Sequence, residues 1–335
     1  MRIKLLSLFA VLFIFISVTN GQQKFVDINS KAGTFSRMGF GARGIGMGNA
    51  MSSVTQGNLV SYYNPALSPF QNDNSLLAGY SLLSLDRLLN FLSFTRKFDF
   101  YSSKDTAIHR QPRSTAGISA GVINSGVSGI DGRDNNGQKT GDLSTSENQF
   151  FISVANRFSK KLSIGLSVKF YYYKLYEDIT SGGLGLDIGA LYKVNENWNV
   201  SLVITDLNSK YEWDTGSIYG QDGLSTTDKF PLLKKIGVSY YNKETKLLSA
   251  LEFENSNAET NILRAGVEYN IYDGLFLRGG IDQFNLNNID AAFKPSLGFS
   301  FVTNVSNFLL SIDYAYMVEQ YSPSDRHIIG VNFNF

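Results

Sequence analysis

Past an apolar opening stretch, the chain shows hydrophobic and polar side chains alternating with a period of two. Leu263, Ala265, Val267, Tyr269 and Ile271 fall on one face, and Arg264, Gly266, Glu268 and Asn270 on the other. After Asp273-Gly274 the pattern resumes, with Leu275, Leu277, Gly279 and Ile281 against Phe276, Arg278, Gly280 and Asp282. Ile164, Leu166, Val168 and Phe170 alternate with Ser163, Gly165, Ser167 and Lys169, and Leu310, Ile312 and Tyr314 with Ser311 and Asp313. Side chains of a strand point to opposite faces, whereas a helical period would scatter these charges around its girth. The pattern therefore predicts strands of about 9 to 12 residues, the length that crosses a bilayer at a tilt.

Fourteen such segments are expected, beginning near Asn74, Leu88, Ser114, Asn148, Leu162, Gly183, Asn197, Leu232, Lys246, Ile262, Gly274, Lys294, Asn307 and Asp325. A soluble sandwich also alternates, but its strands average five or six residues. An even number suits a closed bacterial barrel, whose short turns lie at one end and longer loops at the other. Short connections at 159–160, 195–197, 242–245, 273–274 and 304–306 follow even-numbered segments, and long loops expected at 125–147 and 208–231 follow odd ones. The stretch 101–113 breaks the rule. The last segment reads Ile329, Val331, Phe333 and Phe335 outward, with Gly330, Asn332 and Asn334 inward. Val331, Phe333 and the terminal Phe335 form a candidate C-terminal signal for the barrel assembly machinery. Because an unpaired amide in hydrocarbon costs several kcal/mol, the last strand must meet the first.

The fold class expected is thus an all-β membrane protein: a closed antiparallel transmembrane barrel of about fourteen strands with an N-terminal hatch in its lumen. Residues 1–21 read as a signal peptide, with Arg2 and Lys4 before an apolar run at 5–18 that is short for a spanning anchor. Residues 22–72 would form the hatch and 73–335 the barrel.

Composition agrees with this reading. The chain holds 18 Tyr, 25 Phe and 31 Gly but only 6 Pro, and no later apolar run is long enough for a membrane helix. A formal net charge of +1 offers no electrostatic basis for binding nucleic acid. With no cysteine and two histidines, His109 and His327, thiolate chemistry is excluded and a zinc centre is not supported. A Ser–His pair built on His327 and a calcium loop at 131–137 are weaker readings than a solvated residue and a turn. No catalytic residue, cofactor site or metal site is assigned, and the chain reads as a non-enzyme. Trp198, Trp213 and the run Tyr171-Tyr172-Tyr173 are expected to anchor the wall at the lipid interface.

Residues 33–68 do not alternate. They contain Gly39-Phe40-Gly41-Ala42-Arg43-Gly44-Ile45-Gly46-Met47-Gly48-Asn49-Ala50 and Ser61-Tyr62-Tyr63-Asn64-Pro65-Ala66-Leu67. A nucleotide loop fails because Asn49 stands where the third glycine belongs and no P-loop Lys-Ser/Thr follows. Glycines that let backbones approach inside a narrow barrel explain the run better. The inward charges Lys169, Asp187, Arg264, Glu268, Arg278, Asp282 and Asp313 read as a ladder paired against the hatch, with Arg43 a natural partner, or as a transport path.

The motif Gly41-Ala42-Arg43 with Met47-Gly48, followed by Asn64-Pro65-Ala66, resembles the opening of the PorV/PorQ group of FadL-like outer-membrane proteins. Leu186-Asp187-Ile188-Gly189, Arg264-Ala265-Gly266-Val267 and Leu277-Arg278-Gly279-Gly280 extend the resemblance over nearly the whole chain. It implies a fourteen-stranded barrel with a lumenal hatch, in the outer membrane of a Bacteroidota-type bacterium. The function implied is a non-enzymatic scaffold or shuttle for proteins leaving by a type IX secretion system, with outer-membrane lipid and secretion components or cargo as partners. The alternative it implies is a FadL-like importer of hydrophobic small molecules. A soluble periplasmic β-protein is the third reading.

Overall fold

Each barrel strand pairs antiparallel with its neighbours, and the last pairs with the first. The computed structural model describes residues 27–101, 112–176 and 179–335. The predicted signal peptide, His109 and most of the 101–113 connection lie outside them. The strands are β1 (Ser75–Leu82), β2 (Leu88–Phe100), β3 (Ser114–Arg133), β4 (Lys139–Arg157), β5 (Leu162–Tyr176) and β6 (Ile179–Lys193). They continue with β7 (Trp198–Leu207), β8 (Lys210–Asp214), β9 (Ser225–Lys229), β10 (Leu233–Asn242) and β11 (Leu247–Ser256). β12 (Asn261–Tyr272), β13 (Leu275–Asn285), β14 (Lys294–Val305), β15 (Phe308–Met317) and β16 (Arg326–Asn334) complete the set. Among the described residues fourteen close the barrel, while β8 and β9 pair only with each other. Closure runs from Ser75 opposite Asn334 to Leu82 opposite His327.

The faces follow the alternation. Outward positions of β1–β6 form apolar rows in register, such as Leu76, Phe94, Ala120, Ile152, Val168 and Leu186. Ile152 is 61% exposed, and Leu184 62%. Inward positions carry buried Ser119, Ser153, Ser167, Asp187, Glu252 and Ser300. A closed cylinder that is greasy outside and polar inside has its backbone satisfied at every depth, as hydrocarbon demands. No described helix is long and apolar enough to cross a membrane.

Three boundaries differ from expectation. Residues 125–147 are not a solvated loop: β3 and β4 stay paired out to Arg133 opposite Lys139, leaving a tip at 134–138. Backbone pairing needs no apolar side chains, so the ladder outlasts the hydrophobic band that revealed it. β6 likewise begins at Ile179 rather than near Gly183. The connection 208–231 holds the β8–β9 hairpin and two short helical turns. Trp213 lies on that hairpin, where its indole donates to Asp228 and its ring packs on Tyr211 and Tyr173, so it does not anchor the wall. Trp198 is outward at the turn end against Tyr240, Tyr172 is outward, and Tyr171 is turned into the lumen. At the turn end, Arg113 donates its amide to the Phe100 carbonyl.

Candidate functional site: the filled lumen

The N-terminal segment reaches β1 through short turns rather than strands, because glycine and Asn-Pro chemistry interrupt it. One helical turn spans Ala42–Gly46, and a 3-10 turn spans Pro65–Phe70. Asn64 caps the latter: its side-chain oxygen accepts from the Ala66 amide at 2.9 Å, and Pro65 occupies a first-turn position that lacks an amide proton. The Asn64 amide group donates to the Ser52 carbonyl at 2.8 Å, tying two passes of the segment together. Ile45, Met47, Val54, Asn64, Ala66 and Leu67 are buried.

The fit to the wall is backbone against backbone. Gly48 has φ +58°, and a Cβ there would stand 2.6 Å from the Ile281 amide and carbonyl. A Cβ on Gly280 of β13 would stand 2.2 Å from the Gly48 nitrogen, and one on Gly266 of β12 2.2 Å from the Met47 carbonyl oxygen. Only paired glycines permit this approach.

Ion pairs then join segment and wall. Arg43 Nε donates to Glu268 Oε2 and its Nη2 to Oε1, both at 2.8 Å, while Nη1 reaches the carbonyls of Gln56 and Asn58. Glu268 also takes Arg278 at 2.6 Å, and Arg278 continues through Ser300 to Asp313, 3.7 Å away. A second group centres on Arg264, paired with Asp282 at 2.6 Å, Glu254 at 3.0 Å and Glu252 at 3.3 Å. Asn49 of the segment donates to Asp282 at 2.7 Å and accepts from the Tyr63 hydroxyl at 2.7 Å. In a third, Lys169 bridges Asp187 at 2.7 Å and Asp206 at 3.1 Å, and Tyr171 donates to Asp206.

The seven inward charges singled out in the sequence are therefore buried and divided among three groups. Sequence reasoning missed Glu252, Glu254, Asp206 and Arg326. The two glutamates share inward parity with Ala250 and were open to detection. Asp206 was not: at φ +63° it sits in the bulge that breaks the β6–β7 register between Leu186 and Ile188, which turns it inward. Arg326 donates to the carbonyls of Met38 and Gly39 and to Ser81, fixing the segment near the loop end. His327 faces outward beside Tyr314, 2.8 Å from its hydroxyl. Nearby, Tyr316 donates to the loop carboxylate Asp325, which holds that carboxyl below its usual range.

Toward the loop end the inner face of β1–β4 carries an apolar patch, while toward the turn end the same strands present buried Ser93, Thr95, Ser119 and Ser153. Under β1–β4, Leu77, Leu89, Phe91, Ile123 and Phe151 pack on Phe40, Tyr62 and Tyr63 of the segment. Phe40 and Phe91 stack at 5.3 Å, and Phe91 and Phe151 at 6.4 Å. Phe230 from the 208–232 connection closes the loop end against Tyr171, Tyr211 and Gly33. A polar void of about 20 Å³ lies between Arg37, Tyr62, Lys169, Asp206 and Arg264.

No protein-family model matches the chain, and no curated protein does. Solved structures do. The Ralstonia pickettii toluene transporter TbuX is similar with a TM-score of 0.55 at 14% identity, covering 88% of this chain and 97% of its own. The P. putida toluene transporter TodX gives 0.59 at 14% identity, over 89% and 99%. The barrel shares the fold of these two transporters. At this identity the likeness shows the fold alone.

Proposed function

We propose that this FadL-like barrel is a non-enzymatic passage for hydrophobic small molecules across a Gram-negative outer membrane, with residues 27–72 acting as its hatch. The observation that carries the reading is the division of the lumen. On the β12–β15 side the segment is held by buried ion pairs, which are costly to separate. In the loop-end patch under β1–β4 it is held by stacked aromatic rings, and an apolar guest can replace such contacts at little cost because they are not directional. The likeness in fold to two toluene transporters, over 88% and 89% of this chain, supports this. The lumen is filled in the state described, so passage requires the aromatic side to part while the ion-paired side stays anchored. Uptake of radiolabelled toluene into cells making the barrel tests it. Wild type should exceed cells lacking the barrel, and Phe91→Lys should abolish the gain. Equal uptake in all three would reject the reading.

A second reading, the PorV/PorQ-type scaffold for secreted proteins, has one feature in its favour. The β3–β4 hairpin continues in polar, exposed sequence beyond the apolar rows, offering a protein-sized handle at the loop end. Affinity capture from native membranes should then recover secretion components or cargo with the barrel; recovery of the barrel alone counts against it. Both readings require export by the signal peptide and insertion by the barrel assembly machinery, for which Val331, Phe333 and Phe335 are the proposed signal.

A further inference from the structure

The lipid-facing wall carries one polar row among its apolar ones. Tyr80, Asn90, Asn124, Asn148 and Tyr172 stand side by side across β1–β5 in strict register. All five sit on the outward parity of their strands, shared with exposed Leu92, Ile118, Ile152 and Phe170. The asparagines form a chain: Asn90 donates to Asn124 at 3.3 Å, and Asn124 to Asn148 at 2.7 Å. The Asn90 oxygen and the Asn148 amide group, at its two ends, have no hydrogen-bond partner among the described residues. One row toward the loops the outward positions are Leu82, Leu88, Gly126, Ser146 and Lys174, where the apolar band is giving way to polar sequence. One row toward the turns they are Ala78, Leu92, Val122, Phe150 and Phe170, all apolar. The asparagines thus mark the level where hydrocarbon meets polar headgroups.

Immediately beneath them the wall is indented. Small Ala78 leaves a hollow of about 380 Å³, walled by Leu92, Val122, Ile329 and Val331, roofed by Asn90 and Asn124, and floored by the strand at Gly79 and Phe91. Register across β1–β2, β2–β3 and β16–β1 is unbroken here, so the hollow is a dent in an intact wall, not a gap in it.

We infer that this notch is a binding site for one acylated lipid of the outer leaflet, which on the loop side of a Gram-negative outer membrane is lipid A, its acyl chain in the hollow and its ester carbonyls on the asparagine row. The medium bathing this face is lipid, so the occupant comes from it. An apolar dent takes a chain, and an amide row at the top of the dent meets the one part of a lipid that sits at that depth and accepts hydrogen bonds. Asn148, at the end of the row, is the free donor for an ester carbonyl, and Tyr80 and Tyr172 flank it as interfacial rings do. This inference does not depend on what passes through the lumen.

The test is native mass spectrometry of the detergent-purified barrel titrated with hexa-acylated lipid A. Wild type should hold one lipid through detergent stripping. Ala78→Phe, which fills the hollow on the lipid side, should lose it, and Asn148→Leu should weaken it by roughly tenfold, as loss of a hydrogen bond to an otherwise desolvated group does. A heated and unheated gel shows that each variant still forms a barrel. Equal retention in wild type and Ala78→Phe overturns the inference, as does no retention by a folded wild type. A dimer of barrels that Ala78→Phe abolishes would assign the notch to a second copy instead.

Discussion

Arg43 and Glu268, 225 positions apart in sequence, meet as a two-pronged ion pair at 2.8 Å on both prongs. The pair joins the N-terminal segment to β12, and both side chains are about 8% exposed. Glu268 is the more consequential member because Arg278 shares it. Glu268→Gln should remove the carboxylate shared by two buried guanidinium groups, leaving Arg43 on backbone carbonyls and Arg278 on Ser300 and Asp313, and cost about 3–5 kcal/mol. Arg43→Met leaves Glu268 still paired with Arg278 and should cost clearly less. Urea unfolding midpoints in detergent micelles give the order; equal losses would show that Glu268 does not bridge the two arginines.

The close approach of Gly48 and Gly280 makes a second prediction. Gly280→Ala places a methyl group against backbone that cannot swing aside, an overpacking cost of about 1–3 kcal/mol. The barrel should still form, but the segment around Met47 should become open to protease. Gly279→Ala, the neighbour on the lipid face, meets only Leu297 Cδ2 at 3.8 Å and is the control. Equal cleavage in the two variants would mean that the segment does not press on β13.

Depth along the wall makes a third. Ile152→Lys puts a charge in the middle of the apolar rows and should cost about 2–4 kcal/mol, while Ser146→Lys at the loop end should cost about 0–1 kcal/mol. Refolding yield into lipid vesicles reads the difference. In a water-soluble protein both outward positions would accept lysine equally.

A fourth concerns Arg326, buried at the loop end with its guanidinium on Met38, Gly39 and Ser81. Arg326→Leu should free the part of the segment before Phe40 without undoing the Arg43 anchor. Faster amide exchange at 33–40, with 43–49 unchanged, is the expected result.

The strands were legible because alternation reports which face a residue takes, and lipid on one side keeps that signal strong. It failed where the cause is absent. Past the apolar rows, from Gly126 to Arg133 and from Lys139 to Ser146, both faces of β3 and β4 meet water, so pairing continues without a pattern. At Asp206 a bulge reverses parity, and parity alone would have sent this carboxylate outward. The lumenal charges could be placed on the inner face, but which acid meets which base depends on the stagger of β11, β12 and β13. That stagger is set by bulges such as the one at Gln283, φ +58°, which shifts pairing between Leu263 and Ala265. The N-terminal motif could be marked by its glycines, yet its contacts with Gly266 and Gly280 are tertiary and have no local signature.

The account rests on a cylinder whose outward side chains touch lipid, and the absence of cysteine makes that directly measurable. Single cysteines at Phe150, Phe151, Ile152, Ser153 and Val154 of β4, labelled with an environment-sensitive fluorophore in vesicles, can be challenged with a nitroxide lipid. Quenching should be strong at 150, 152 and 154 and weak at 151 and 153. Uniformly weak quenching, with the labelled chain recovered in the aqueous fraction, would contradict the membrane barrel.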